Sequence, residues 1–423
     1  MCCDWVFRNR GINTDQPSRR HSSSDIKIGD EQLNKQASIG YVSTYPPRAC
    51  GIATFTRDLS QALQIRRHVE RNVVVAVEDD PSLDSLEQII YKLDRSSYVR
   101  AAGFLNESNV NIVSLQHEFG IYGGEWGDYV LDLCKNVEAP LITTFHTVVA
   151  NPPEKARELV REICRLSTTV VVTVESAKKL LEEEYGIDSQ KIEIIPHGAS
   201  TPDRRRRTFA RRSLHLQKHT VLATTGLINP GKGIEYAIKA LPYLVRDQPD
   251  ILYLVIGETH PEVRKHEGEA YRNKLMALAR QLKVEKNVRF VDRYLHEDEL
   301  SLYLQATDIY LAPYLGKDQV SSGTITYALT HGKPVVSTPT LFAKDVLSNS
   351  RGLLCKFSDA PSIAACVKQI LSDPGLRRKL GVNAFKYGQE VGWAHVADEY
   401  GYIIKSAIRT RRTIAKTAEI GEA

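Results

Sequence analysis

Four stretches of the chain carry residue types that could hold an anion or move a proton. The first, TYPPRACGIATF at 44–55, sets Pro46 and Pro47 before Gly51 and a helix-like run. A helix start behind a glycine offers free N–H groups to an anion, although an ordinary strand-to-helix turn has the same make-up. The second, QHEFGIYGGEWGD at 116–128, places His117 and Glu118 beside glycines at 120, 123, 124 and 127, as suits a loop wrapping a polar ligand. Close by in sequence, TTFHT puts His146 where a strand ends. A lone histidine is more often structural, but two closing neighbouring strands at one edge, His117 and His146, are placed to act on a ligand.

The third stretch, GLINPGKGIEYAIKAL, presents Gly226, Gly231, Lys232 and Gly233 ahead of an amphipathic helix. Small residues, one lysine and a helix start supply the N–H donors, dipole and cation that a diphosphate needs. The spacing is not that of a Walker A loop. The fourth, PYLGKDQVSSGTITYALTHGKPVVSTP at 313–339, opens a helix with Ser321, Ser322, Gly323 and Thr324. This is either a phosphate cradle or plain helix capping, and the residues alone leave both open.

These stretches follow short apolar, β-branched runs that must position them. Six runs (37–43, 73–77, 111–115, 141–145, 169–174 and 192–195) are followed by six more (221–225, 251–256, 288–291, 309–312, 335–337 and 352–355). Runs apolar at nearly every position suit strands covered on both faces, hence parallel sheets flanked by helices. The pattern predicts an α/β fold of two doubly wound domains facing across a cleft, with ligands beyond the carboxyl ends of the strands. The expected layout is a disordered tail over 1–36, a first Rossmann-like domain over 37–198, an Arg-rich linker over 199–217 and a second domain over 218–392. A terminal helix, with its tail, fills 393–423 and returns toward the first domain.

Composition narrows the classes. The 423 residues are 42% apolar and 25% charged, as in globular proteins, with no apolar run long enough to span a membrane as a helix. Seven cysteines without a CxxC pair argue against a disulfide scaffold or a structural zinc and favour a reducing compartment. A net charge of +5 does not call for nucleic acid. Glu78, Asp79 and Asp80 read as an exposed acidic turn before a cation site. The arginines of Arg204–Arg212 read as a solvated hinge, with docking of an anionic membrane surface or of a phosphorylated acceptor as the other readings.

In this order and spacing, PPRACGIATF, TFHT, IPHG, PGKG and YALTHGKPVVSTP resemble the GT-B glycosyltransferases, in their large retaining family 4-like group with its mannosyltransferases. The resemblance runs from about residue 38 to 408 and implies a GDP- or UDP-linked sugar on the second domain, with a sugar or glycan hydroxyl acceptor on the first. It places Lys232 on the donor diphosphate together with Gly231 and Ser321–Thr324, Gly51 near the same phosphate, and His146 by the transferred sugar, with His117 and Glu118 in the acceptor cleft. It further implies a cytoplasmic, metal-independent hexosyltransferase without a resident cofactor, moving mannose or glucose with retention. Two departures stand out. Where the family carries a glutamate pair with seven residues between, alignment on GKPVV gives Gln319 and Tyr327, and the arginine usual before PGKG is missing. Gln319 can still bond sugar hydroxyls, but a tyrosine cannot accept the two bonds of a ribose diol as a carboxylate does. Those departures motivate two alternatives: a catalytically silent nucleotide- or sugar-binding protein, and an enzyme like the nucleotide-sugar 2-epimerases working through His117, Glu118 and His146.

Overall fold

A computed structural model describes residues 36–79, 88–202 and 206–421, with side chains to 411. The tail expected over 1–36, apart from Gln36, lies outside these residues, as do Asp80, Arg204 and Arg205.

The apolar runs form two wholly parallel sheets. The first comprises β1 (Ala37–Ser43), β2 (Val69–Glu78), β3 (Ile89–Tyr91), β4 (Ile112–His117), β5 (Leu141–Phe145), β6 (Thr169–Val172) and β7 (Ile192–Ile194), in the order β3-β2-β1-β4-β5-β6-β7. The second comprises β8 (Thr220–Thr225), β9 (Ile251–Ile256), β10 (Val288–Val291), β11 (Ile309–Ala312), β12 (Val335–Ser337) and β13 (Gly352–Leu354), in the order β10-β9-β8-β11-β12-β13. The doubly wound α/β architecture is thus as expected, with one strand more. β3 has three residues and pairs on one side only, so its sequence holds no long apolar run. In each sheet the chain reverses its direction of travel between two strands, β1/β4 and β8/β11, and the crevice beyond those strand ends is where this topology holds ligands.

Hydrogen bonds tie the two sheets' layers together. Thr173 Oγ1 donates to the Val320 carbonyl (2.8 Å), and the Ser176 N–H and hydroxyl reach the two Asp345 oxygens at 2.8 and 2.9 Å. The last helix, Trp393–Gly421, crosses back to the first sheet. Val396, Tyr400, Ile403, Ile404 and Ala407 recur at helical spacing and bury that stripe against Ile39, Tyr41, Phe55, Leu59 and Leu63. The Tyr400 hydroxyl, within that apolar layer, is satisfied by Thr144 Oγ1 at 2.9 Å.

The Arg-rich stretch is not a featureless hinge. It forms the helix Arg207–Ser213, and Arg207 and Arg211 reach the Asp308 carboxylate at 2.5 and 3.1 Å, where Arg377 also arrives. Asp308 is 5% exposed and also accepts the Val221 N–H. Burial pushes its pKa up, but the arginines and that N–H prevail and hold it below the ordinary value. Arg207 and Arg211 therefore lock the start of the second domain, while Arg206, Arg207 and Arg212 remain exposed. The acidic turn after β2 is likewise accounted for, since Arg48 pairs with Glu78 (3.7 Å) and Asp79 (2.7 Å). No helix of the described residues is long and apolar enough to cross a membrane.

Candidate active site

The two sheets point their carboxyl ends at a common cleft of about 430 Å³. Its walls are strand-to-helix loops, so most of the residues singled out above meet there. From the first domain come Gly51, Glu118 and His146; from the second come Lys232, Gln319, Ser321, Ser322, Gly323, Thr324 and Tyr327.

Lys232 closes the turn after β8. Gly226 starts that turn at φ 102°, and a Cβ there would stand 3.0 Å from Thr324 Cγ2 and 3.1 Å from Lys232 Nζ. Only glycine lets the loop pass between them. The ammonium donates to the Thr225 carbonyl (3.1 Å) and lies over the Tyr314 ring, 5.2 Å from its centroid. It makes no ion pair among the described residues. Burial lowers its pKa, which marks a cation short of counter-charge.

Beside it begins the helix Gly323–Thr330. The Ser322 hydroxyl is its cap, accepting the Ile325 N–H at 3.3 Å, so capping is what that side chain does. The hydroxyl of Thr324 meets that of Tyr314 at 2.5 Å. Gln319 folds onto its own loop, Nε2 donating to the Ser321 carbonyl (2.9 Å). Gly231 does not line the cleft; it is exposed, and its carbonyl accepts the Leu315 N–H at 2.9 Å, bracing the turn.

On the opposite wall, the His146 N–H bonds the His117 carbonyl (2.9 Å), which sets His146 and Glu118 side by side beyond β5 and β4. His146 Nε2 donates to Gln116 Oε1 at 2.9 Å, while Gln116 Nε2 donates to Ser114 Oγ, fixing the ring and leaving Nδ1 as acceptor. Burial, then His197 and His117, bring the pKa of His146 down to about 3, so the ring is neutral at pH 7. Burial raises the Glu118 carboxyl.

The assignment of His117 to the cleft is corrected. Its ring is fully buried among Phe119, Tyr122 and Phe145, with both ring nitrogens unpartnered. The cause is strand alternation. His117 is in register with Phe145, so both turn into the core, and their successors Glu118 and His146 turn outward. The two histidines therefore do not share a face.

Several cleft residues went unread. His197 lies within the IPHG motif, just past β7; a Cβ on Gly323 would stand 3.0 Å from its Cε1. The Phe55 ring packs edge-on against His146 and His197, with centroids 4.9 and 5.0 Å apart. Tyr294, His296 and Glu297 follow β10, and the rule that the strand-end loops carry the function would have found them. Arg57 bonds Asp58 (2.8 Å) and faces Tyr327 across the cleft.

Comparison with known proteins agrees with this geometry. Residues 49–202 match the model "Glycosyltransferase Family 4", and residues 206–387 match "Glycosyl transferases group 1". The chain is 27% identical over 318 residues to a D-inositol 3-phosphate glycosyltransferase of Corynebacterium efficiens, covering 69% of this chain and 71% of the relative. It is also 27% identical over 189 residues, 44% of each chain, to a GDP-mannose-dependent monoacylated alpha-(1-6)-phosphatidylinositol monomannoside mannosyltransferase of Corynebacterium glutamicum. Across the first relatives the match spans between 59% and 71% of their length. Among solved structures, HepE of Anabaena in complex with UDP and glucose superposes with a TM-score of 0.71 at 14% identity, over 88% of this chain and 100% of that one. With one glycosyltransferase model over each sheet and this fold beneath them, the chain belongs to the GT-B glycosyltransferases.

Proposed function

We propose that this chain transfers a hexosyl group from a nucleoside-diphosphate sugar to a hydroxyl acceptor, with retention of anomeric configuration and without a metal. The observation that carries the reading is Lys232: a half-buried ammonium with no ion-pair partner among the described residues, beside the free N–H groups that start the helix Gly323–Thr330. A partly desolvated cation without a counter-charge favours an anion beside it.

In the reaction the bond from the anomeric carbon to the diphosphate oxygen breaks, and negative charge grows on that oxygen. Lys232 and the helix start stabilise it where it develops. The acceptor hydroxyl attacks from the same face and gives its proton to the departing phosphate, which accounts for retention. His146, neutral and held by Gln116, offers an acceptor to a sugar hydroxyl, and Glu118 beside it faces the acceptor side. The C. glutamicum relative's name supports GDP-mannose as donor, and the C. efficiens relative's name supports a phosphorylated inositol as acceptor class.

The test is calorimetric titration with GDP, UDP and ADP, followed by product analysis with the sugar nucleotides of the base that binds. One preferred diphosphate and acceptor-dependent transfer are expected. Binding without turnover over long incubation would favour the silent binding protein, and sugar isomerised without acceptor would favour the epimerase.

A further inference from the structure

We propose that Glu297 is the carboxylate that takes the ribose hydroxyls of the donor nucleotide, an assignment that rests on the nucleotide-sugar reading above. With the phosphates at Lys232 and Gly323, beyond the β8/β11 reversal, the strand order dictates where the nucleoside goes. Outward from β8 stand β9 and then β10, whose loops contribute Gly257, His260 and the stretch Tyr294–Glu297 to the same cleft. That end combines an aromatic ring, apolar Leu295 and Leu300, and one carboxylate, the chemistry that a planar base and a diol require.

Two glutamates line the cleft among the described residues. Glu118 stands on the opposite wall and is engaged, its Oε2 accepting the Gly120 N–H at 2.8 Å. Glu297, first residue of the helix Glu297–Ala306, makes no hydrogen bond or ion pair with any described residue, whereas Glu299 is spent on Arg293. A partly buried carboxylate without a partner at the rim of an anion-binding cleft is repelled by the phosphates, so it must face donors farther along the ligand. A ribose diol offers two O–H donors to one carboxylate. Tyr327, a further polar group of this cleft, carries a single hydroxyl and cannot receive both as a carboxylate does.

The experiment compares the dissociation constants of whichever nucleoside diphosphate binds and of its 2′,3′-dideoxy form, for the unaltered protein, Glu297→Gln and Glu297→Ala. Loss of the diol should weaken binding to the unaltered protein by at least about 100-fold, the scale of two charge-assisted hydrogen bonds. Glu297→Ala should lose a similar factor with the ordinary nucleotide and nothing more with the dideoxy form. Independent losses that multiply, or an unchanged affinity in both variants, would overturn the assignment. Failure of the unaltered protein to bind any of the three diphosphates would instead remove the nucleotide reading itself.

Discussion

The hydroxyls of Thr54 and Tyr294 lie 3.0 Å apart, one on the first helix of the first domain and the other in the loop after β10 of the second. Both line the cleft, so this bond joins its two walls at the rim. In Thr54→Val and Tyr294→Phe one partner is lost and the pair opens. Because both groups can reach water, stability should change by less than about 0.5 kcal/mol. The expected effect is on closure: donor KM rises about 3- to 10-fold in each variant, and no further in the double variant. Steady-state kinetics of the three variants checks this, and additive effects would separate the two residues.

Lys232→Met removes the half-buried cation and keeps the stem. Transfer and diphosphate affinity should fall by at least about 30-fold, on the scale of a charged transition-state contact. The melting temperature should hold or rise, since the fold no longer partly desolvates an ammonium without a counter-charge. Unchanged turnover would refute the placement of the diphosphate.

Gly323→Ala probes a close approach between the domains. The new methyl would stand 3.0 Å from His197 Cε1 and 3.1 Å from Nε2, tighter than ordinary packing. The helix start must then retreat from His197, carrying its N–H groups away from their ligand. About 10-fold weaker diphosphate binding with a preserved far-ultraviolet spectrum is the expected outcome, and Gly323→Ala with His197→Ala should recover part of it.

Acid sensitivity should be built into the core and the cleft wall. His117 and His146 titrate at about 3, and His197 and His331 at about 4, all lowered chiefly by burial, against about 6.5 in an unfolded chain. A folded pKa below the unfolded one means that the unfolded chain takes up the proton first. Their contribution to stability is thus complete above about pH 6.5 and is lost as pH falls toward 4, by up to about 1.4 kcal/mol per pH unit for each. His117→Phe, which suits the ring cluster of Phe119, Tyr122 and Phe145, should flatten that slope; denaturant titrations from pH 7 to 4 measure it.

Much of this protein is legible without coordinates. Parallel strands covered on both faces must be apolar throughout, so 12 of the 13 strands announce themselves as runs, and the missed one, Ile89–Tyr91, is an edge of three residues. Strand ends define where ligands go, which is why Gly51, Glu118, His146, Lys232 and 321–324 are found from sequence and do line one cleft.

The tertiary structure decides what depends on a single register step or on residues far apart in the chain. Strand alternation sends His117 into the core and Glu118 into the cleft, and no composition distinguishes the two. Arg207 and Arg211 look like a basic surface until Asp308, about a hundred residues away, takes both. His197 against Gly323, Thr54 against Tyr294, and Glu297 without a partner exist only because two sheets close on each other. A linear sequence states which groups stand at strand ends; which of them face one another is set by how the domains pack.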